Sequence, residues 1–493
     1  MLRNNIIFSR IMGLETVRRQ SLISLFWNIA FTAVGFFSTM YFARTVGASV
    51  LGAYFMFLAY YGIISLLSDG GFGSAAVKRM SEGEEPDAYF SAFFVIRSIF
   101  VIFTIFILIL FRVYFVDLNS AGTFIYLLLA LIVSIFFGTV HGGIAGRGKI
   151  GIYTTTQFIN NISCIFIQVV AVFLGFGVAG FAGGFVAGMI IVFIVELHFF
   201  DLHFVRFGWE HIKSLSTFSF WLFLSASGVQ VFAYADTVLI GYFLENSDIG
   251  VYRIMLQFAG ISGITISALR NTLWPKVSRW GKTGELKSIE HSLSQAFTYS
   301  LILAIPILAG GILLGDRLIY FFYGPQFKAG YMTLIILLIL QVVNVFNYFF
   351  MTYLNALNRV KDSFKITMVG ALTNILMNIL LIPLMGISGA AVATLFAMGL
   401  NAILAHRILS QVMRIRIEFD SLINILKASC LISAVVLIYR VFVPLSNIWY
   451  TLVAVALGAM IYTILILKLD RKIHNELKEI TVQMSLPWPA WFK

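Results

Sequence analysis

The chain has 493 residues, with 34 Lys and Arg against 22 Asp and Glu, so only 11% are charged and the formal net charge is +12. Soluble globular proteins carry about 25% charged and about 45–50% apolar residues; here 60% are apolar and the mean hydropathy is +0.94. So few charges cannot cover a soluble exterior, which excludes a soluble enzyme, a nucleic-acid binder and a disordered scaffold.

The first 20 residues hold four Arg and lack a short apolar core with a small-residue cleavage site, so they read as a retained cytosolic amphipathic segment. A transmembrane helix needs about 20 mostly apolar residues. Breaking the chain at charge clusters and Gly, Pro and Asn turns predicts fourteen spans, near 21–43, 50–67, 90–112, 122–141, 153–174, 180–199, 218–243, 250–272, 293–314, 330–357, 364–384, 388–408, 421–443 and 447–467. The uncharged stretch 150–195 holds 46 residues, two spans joined by the Gly-rich turn at 175–184. With the N-terminus in the cytosol, 26 Lys and Arg fall on the inner side and 6 on the outer side. One span more or fewer would invert every later loop and erase that bias, so the positive-inside rule supports both count and orientation. The expectation is a multi-pass protein of the cytoplasmic membrane with both termini cytosolic.

The connections run to roughly 20 residues at most, hairpin caps rather than folded modules. Cys164 and Cys430 fall inside spans and form no disulfide or metal pattern. Two halves are related by weak, ordered repeats. Leu51-Gly52-Ala53-Tyr54 matches Ile249-Gly250-Val251-Tyr252 at an offset of 198, Gly146-Arg147-Gly148-Lys149 matches Asn358-Arg359-Val360-Lys361 at 212, and Gly177-Val178-Ala179-Gly180 matches Gly386-Ile387-Ser388-Gly389. Because six spans separate the copies, both enter the bilayer in the same sense, as in parallel-repeat transporters with a two-fold axis along the membrane normal. The expected organisation is a first lobe at 21–200, a cytosolic linker at 201–217, a second lobe at 218–410, two extra spans within 411–467 and a cytosolic tail at 468–493. Rocking of one lobe against the other would give alternating access.

The stretches ARTVGASVLGAYFMF (43–57), YADTVLIGYFLENSDIGVYR (234–253), FYGPQF (322–327) and LNALNRVKDSFKITMVGALTNILMNILLIPLMGISGAAVAT (354–394) resemble the polysaccharide transporter, or O-antigen flippase-like, family. That family belongs to the multidrug/oligosaccharidyl-lipid/polysaccharide flippase superfamily. The resemblance covers about residues 15–470. It implies an all-α fold of twelve core helices plus two, and flipping of lipid-linked saccharides by alternating access. The expected partners are an isoprenyl-pyrophosphate-linked oligosaccharide, membrane lipids and a coupling ion, H+ or Na+, with no nucleic acid, no cofactor and a monomeric chain.

No catalytic constellation or phosphate loop is present in the sequence. Interest falls on polar groups inside spans, which are costly there and functional by default. Arg97 lies about 10 Å into span 3, and either snorkels to the headgroups or faces a cavity and holds phosphate. Arg253 and Arg270 carry the same two readings. Gln341, Asn344 and Asn347 recur at i, i+3, i+6 as a polar stripe, and Asn374 and Asn378 at i, i+4; interhelical hydrogen bonding is the plainer account, sugar recognition the functional one. Tyr54, Tyr60, Tyr61 and Tyr234 could stack on sugar rings or simply pack.

Asp69 and Asp236 are the gating or ion-coupling candidates. Asp69 also stands where it could cap the turn at Gly70-Gly71. Asp236 sits about seven residues inside span 7, too deep for a short carboxylate to snorkel, with Arg253 as the expected partner. A multidrug exporter of the same superfamily is the nearest competing function and would favour an acidic pocket. A membrane glycosyltransferase or ligase would need richer outer loops than these.

Overall fold

A computed structural model describes the backbone of residues 16–475 and 478. The expected N-terminal segment lies outside the described residues up to residue 15, as does the tail from 476 on apart from residue 478. Helix is the only regular structure among the described residues, as a lipid-embedded backbone that must satisfy its own N–H and C=O groups requires. The helices are α1 (Thr16–Asp69), α2 (Phe72–Ser81), α3 (Pro86–Leu110), α4 (Val116–Ser120), α5 (Phe124–Gly146), α6 (Ile150–Phe173), α7 (Gly177–Leu197), α8 (Trp209–Phe243), α9 (Asn246–Gly260), α10 (Ile264–Thr283), α11 (Leu286–Tyr323), α12 (Tyr331–Ala356), α13 (Val360–Met385), α14 (Ile387–Leu409), α15 (Phe419–Phe442) and α16 (Ile448–Leu469).

At 54 residues α1 would be about 80 Å long, against roughly 30 Å of hydrocarbon. Gly47 breaks it with φ 79° and ψ −178°, a left-handed backbone that favours glycine, between expected spans 1 and 2. α8 is bent by 51° between Gln230 and Phe232. Among the described residues, twelve helices are long and apolar enough to cross a membrane, or thirteen when α8 counts as one bent span. Taking α1 as two crossings that meet at Gly47 makes this compatible with the expected fourteen.

The chain divides into two compact units, one ending at Gly250 and the other starting at Val251. The sequence places the division at 201–217; the contacts place it after α8, because α8 packs on α1, α2 and α3. The segment at 200–208 is not a free linker. Asp87 and Ser91 on α3 accept hydrogen bonds from the His203 and Val205 backbone N–H groups at 2.8 and 2.9 Å, and Phe90 packs against the rings of Phe200 and Phe204. Ala75, Met80, Phe93, Leu202 and Leu215 close a core beneath it.

In the second unit, α15 and α16 pack on each other and on α11. Tyr462 donates to the Ile302 carbonyl at 2.8 Å, and Arg440 reaches the Leu313 carbonyl and the Asp316 carboxylate. Ile425, Ala428, Ile432 and Ile466 extend the core built by Leu293, Phe297 and Phe349. The last two helices thus dock on the flank of α11.

The packing repeats between units. α7 packs on both α5 and α6, and α14 on both α12 and α13. The turns into α6 and α13 place Gly148 (φ 70°) and Asn358 (φ 62°) in the same left-handed position, just after the caps Arg147 and Leu357. The structural register there is therefore 210 residues, two fewer than the motif match suggests. The glycines of the first repeat motif meet at one crossing. A Cβ on Gly52 would lie 1.6 Å from the Asn246 carbonyl oxygen, and one on Gly250 would lie 2.1 Å from that of Ala48. Gly52 and Gly250 are 198 positions apart, as are Ala48 and Asn246, so the contact is reciprocal.

Candidate functional site

Among the described residues, three groups of polar side chains within the helices bear on function, two in the first unit and one in the second. Arg97 on α3 does not reach outward. Its Nη1 donates to Asp69 Oδ1 at 2.6 Å, at the end of α1, with side chains 11% and 21% exposed. Asp69 Oδ2 accepts from the Gly73 backbone N–H at 3.1 Å, satisfying one of the free donors that open α2. The expected turn cap and the expected intramembrane cation are thus parts of one arrangement. The guanidinium rests 5.7 Å from the Phe93 ring centroid and against α5, where a Cβ on Gly138 would lie 2.7 Å from Nη2. Its Nε is buried without a hydrogen-bond partner.

The second cluster was not among the sequence candidates. Glu196, in the last turn of α7, is fully buried. Its Oε1 accepts from Thr156 Oγ1 on α6 at 2.6 Å and lies 2.5 Å from His141 Nδ1 on α5. The imidazole is stacked between Tyr153 and Phe137, at centroid distances of 4.1 and 5.1 Å. Glu196 Oε2 and His141 Nε2 are buried without a hydrogen-bond partner. The available signal was the 46-residue uncharged run, which stops at Glu196; the acid looks like a helix end and is in fact inside the packing.

In the second unit, Arg270 on α10 is exposed and donates to the Tyr348 hydroxyl on α12 at 2.6 Å, with its guanidinium 5.5 Å from that ring's centroid. The residues of the expected stripe lie on α12. At 100° per residue, Gln341 and Tyr348 align and Asn344 lies close by, all half-buried. Asn347 is about 120° away from Gln341, buried, and its amide donates to Asn344 Oδ1 at 3.5 Å and to Met398 Sδ at 3.2 Å. Asn374 and Asn378 are fully buried on α13, and Asn374 donates to Thr394 Oγ1 on α14 at 2.9 Å. Asp236 is buried on α8 and Arg253 half-buried on α9, each engaged by neighbouring groups. Tyr54 packs against Phe57 and Phe181 and accepts from Gln168 at 2.9 Å, so it belongs to the core. No group of three or more metal-binding side chains exists among the described residues.

The fold defines the class. The chain superimposes on the lipid II flippase MurJ in its inward closed conformation with a TM-score of 0.76, at 18% identity over 92% of this chain and 99% of that one. It also superimposes on an inward-facing multidrug resistance MATE transporter of the MOP superfamily with a TM-score of 0.65, at 14% identity over 78% and 94%. The chain has the MurJ/MATE-like fold. By sequence it belongs to the family described as polysaccharide biosynthesis protein, whose pattern matches residues 41–332. Among its relatives are two proteins of Haloferax volcanii. "Probable low-salt glycan biosynthesis flippase Agl15" is 25% identical over 90% of this chain and 94% of its own length. "Probable flippase AglR" is 25% identical over 79% and 83%.

Proposed function

We propose that the protein flips an isoprenyl-pyrophosphate-linked oligosaccharide from the inner to the outer leaflet of the cytoplasmic membrane, by alternating access, for assembly of a surface glycan. The observation that carries this reading is the end-to-end similarity to a glycan biosynthesis flippase, spanning 94% of that relative's length. The 26-to-6 distribution of basic residues supports cytosolic termini. The protein is then a carrier rather than an enzyme, acting as a monomer and drawing on an ion gradient.

The chemistry of the candidate residues fits this substrate. A pyrophosphate that leaves water needs cationic donors, and Arg offers forked hydrogen bonds while keeping its charge. Arg97 has a buried, unpartnered Nε beside its bond to Asp69, and Arg270 is exposed and bonded to Tyr348, on the face of α12 that also carries Gln341 and Asn344. Amides and the Tyr348 hydroxyl match sugar hydroxyls. Asp69 and Asp236 are the switching charges: Asp69 is released when phosphate claims Arg97, and Asp236 when a cation or Arg253 changes partner. A multidrug exporter shares the fold, yet the Asp69 carboxylate is already matched by an arginine, which leaves it little attraction for a cationic drug.

Native mass spectrometry of the purified protein separates these readings. The flippase retains an isoprenyl-pyrophosphate oligosaccharide, less so after Arg97→Gln, and ignores hydrophobic cations. Retention of the cations without the glycan lipid would establish the exporter instead.

A further inference from the structure

We propose that His141, Glu196 and Thr156 form a proton-binding site within the α5–α6–α7 packing, through which a proton gradient drives the carrier. Its use in transport rests on the flippase reading above; the binding of the proton does not.

The argument starts from charge. If Glu196 is ionised and His141 is neutral, with Nδ1–H pointing at Oε1, the cluster carries one negative charge on a fully buried carboxylate. Burial of a charge without a matching one is costly, inside a membrane above all. No Lys or Arg side chain bonds either oxygen of that carboxylate. Arg97, which meets α5 at Gly138, is bound to Asp69. Lys149 and Arg147, where α5 passes into α6, pair with Asp201 beyond the end of α7. On α2, Lys78 and Arg79 pair with Glu82. Among the described side chains, the other titratable groups on the packed helices are Tyr153 and Cys164 on α6, Tyr126 on α5, Tyr41, Arg44, Tyr54, Tyr60 and Tyr61 on α1, and Asp87 and Tyr89 on α3, with His198 directly after α7; none of them is hydrogen-bonded to Glu196 or His141. One proton removes the excess charge.

The structure also shows where the proton can sit. In the tautomer that donates from Nδ1, His141 Nε2 is a bare acceptor, and both it and Glu196 Oε2 are buried without a partner. Protonation at Nε2 gives an imidazolium–carboxylate pair; protonation of the acid gives a neutral hydrogen-bonded pair. Either state is electrically balanced and makes or breaks no other bond.

The fold does not need this triad. At the 210-residue register, His141 and Thr156 correspond to Met351 and Ile366 on α12 and α13; at the 209-residue offset of Gly180 and Gly389, Glu196 corresponds to Ala405 on α14. Those three positions belong to an apolar core. At these three positions the second unit builds the same three-helix packing without an ionisable side chain. With Glu196 sealed and the His141 side chain 12% exposed, proton exchange requires the end of α7 to part from α5. That ties proton occupancy to a movement of these helices, which is what a coupled carrier needs.

The test has two arms. Infrared difference spectra of the full chain in lipid nanodiscs, taken between acid and alkaline buffer, should show linked imidazole and carboxylate bands. Glu196→Gln and His141→Asn should each abolish the linked signal. In vesicles, a pH gradient should change the flipping rate of the wild type, and that response should be lost in both variants. A difference spectrum that both folded variants share with the wild type overturns the site. So does a gradient response that survives in both, or a response to sodium alone. Vesicles in which the wild type moves no glycan lipid would refute the flippase reading, and the spectra would still decide the proton site.

Discussion

Arg97 and Asp69 are joined at 2.6 Å between α3 and the end of α1, and the same carboxylate holds the first turn of α2 through the Gly73 N–H at 3.1 Å. An arginine held in this way serves structure and, if phosphate competes for it, function. The two can be separated because an unmatched partner is the costly state.

Arg97→Ala strands Asp69 and should destabilise the protein by about 2 kcal/mol, a value reduced for the partial exposure of the pair. Arg97→Ala combined with Asp69→Asn should recover most of that loss, because an amide can still accept from Gly73. Thermal unfolding in detergent measures both. Flipping should remain lost in the double variant. Recovery of transport together with stability would show that the arginine only fastens the helices.

The reciprocal crossing at Gly52 and Gly250 leaves no room for a methyl group. Gly52→Ala and Gly250→Ala should each cost about 1–3 kcal/mol through backbone displacement. Gly399→Ala is the control: on α14, its Cβ would meet nothing within 4 Å, and alanine is the better helix former. Melting temperatures of the three variants check this, with Gly399→Ala expected at or above the parent.

Asp470, just after α16, supplies a pH dependence. Burial by itself would raise its carboxyl, but the Ile473 N–H, Ser421, Asn424 and the Lys472 N–H outweigh burial and hold it below its usual value. A carboxylate with a depressed folded pKa adds stability that is fully present above its unfolded value, about 4, and is lost as pH falls through the folded value. Unfolding followed from about pH 7 to about pH 3 should show this loss in the parent. In Asp470→Asn the acid limb should be shallower and the stability at neutral pH lower. An identical acid limb in both would mean that the carboxylate contributes nothing.

Composition and charge bias made the membrane class and the helix positions legible, since both depend on runs of residues within one segment. What lies between segments was hidden. Arg97 reads as a lone intramembrane cation because its partner is 28 residues away, behind the α1–α2 turn. His141 and Glu196 are 55 residues apart and meet only through the rotation of α5 and α7, which no single-helix pattern encodes. The amides at Gln341, Asn344 and Asn347 differ in setting for a local reason: six residues turn a helix by 600°, so Asn347 is buried and reaches both Asn344 and Met398 while Gln341 and Asn344 stay half-buried. Likewise α8 looks like the start of a second half by repeat counting, yet its apolar contacts lie on α1, α2 and α3.

The most direct measurement is reconstitution of the purified chain in sealed vesicles with an isoprenyl-pyrophosphate oligosaccharide labelled on its sugar, followed by timed exposure to a membrane-impermeant reagent. A carrier brings the inner-leaflet half of the label within reach, so modification should proceed past one half towards completion, and only when the protein is present. Modification that halts at the outer-leaflet half with folded protein in the membrane would contradict the account.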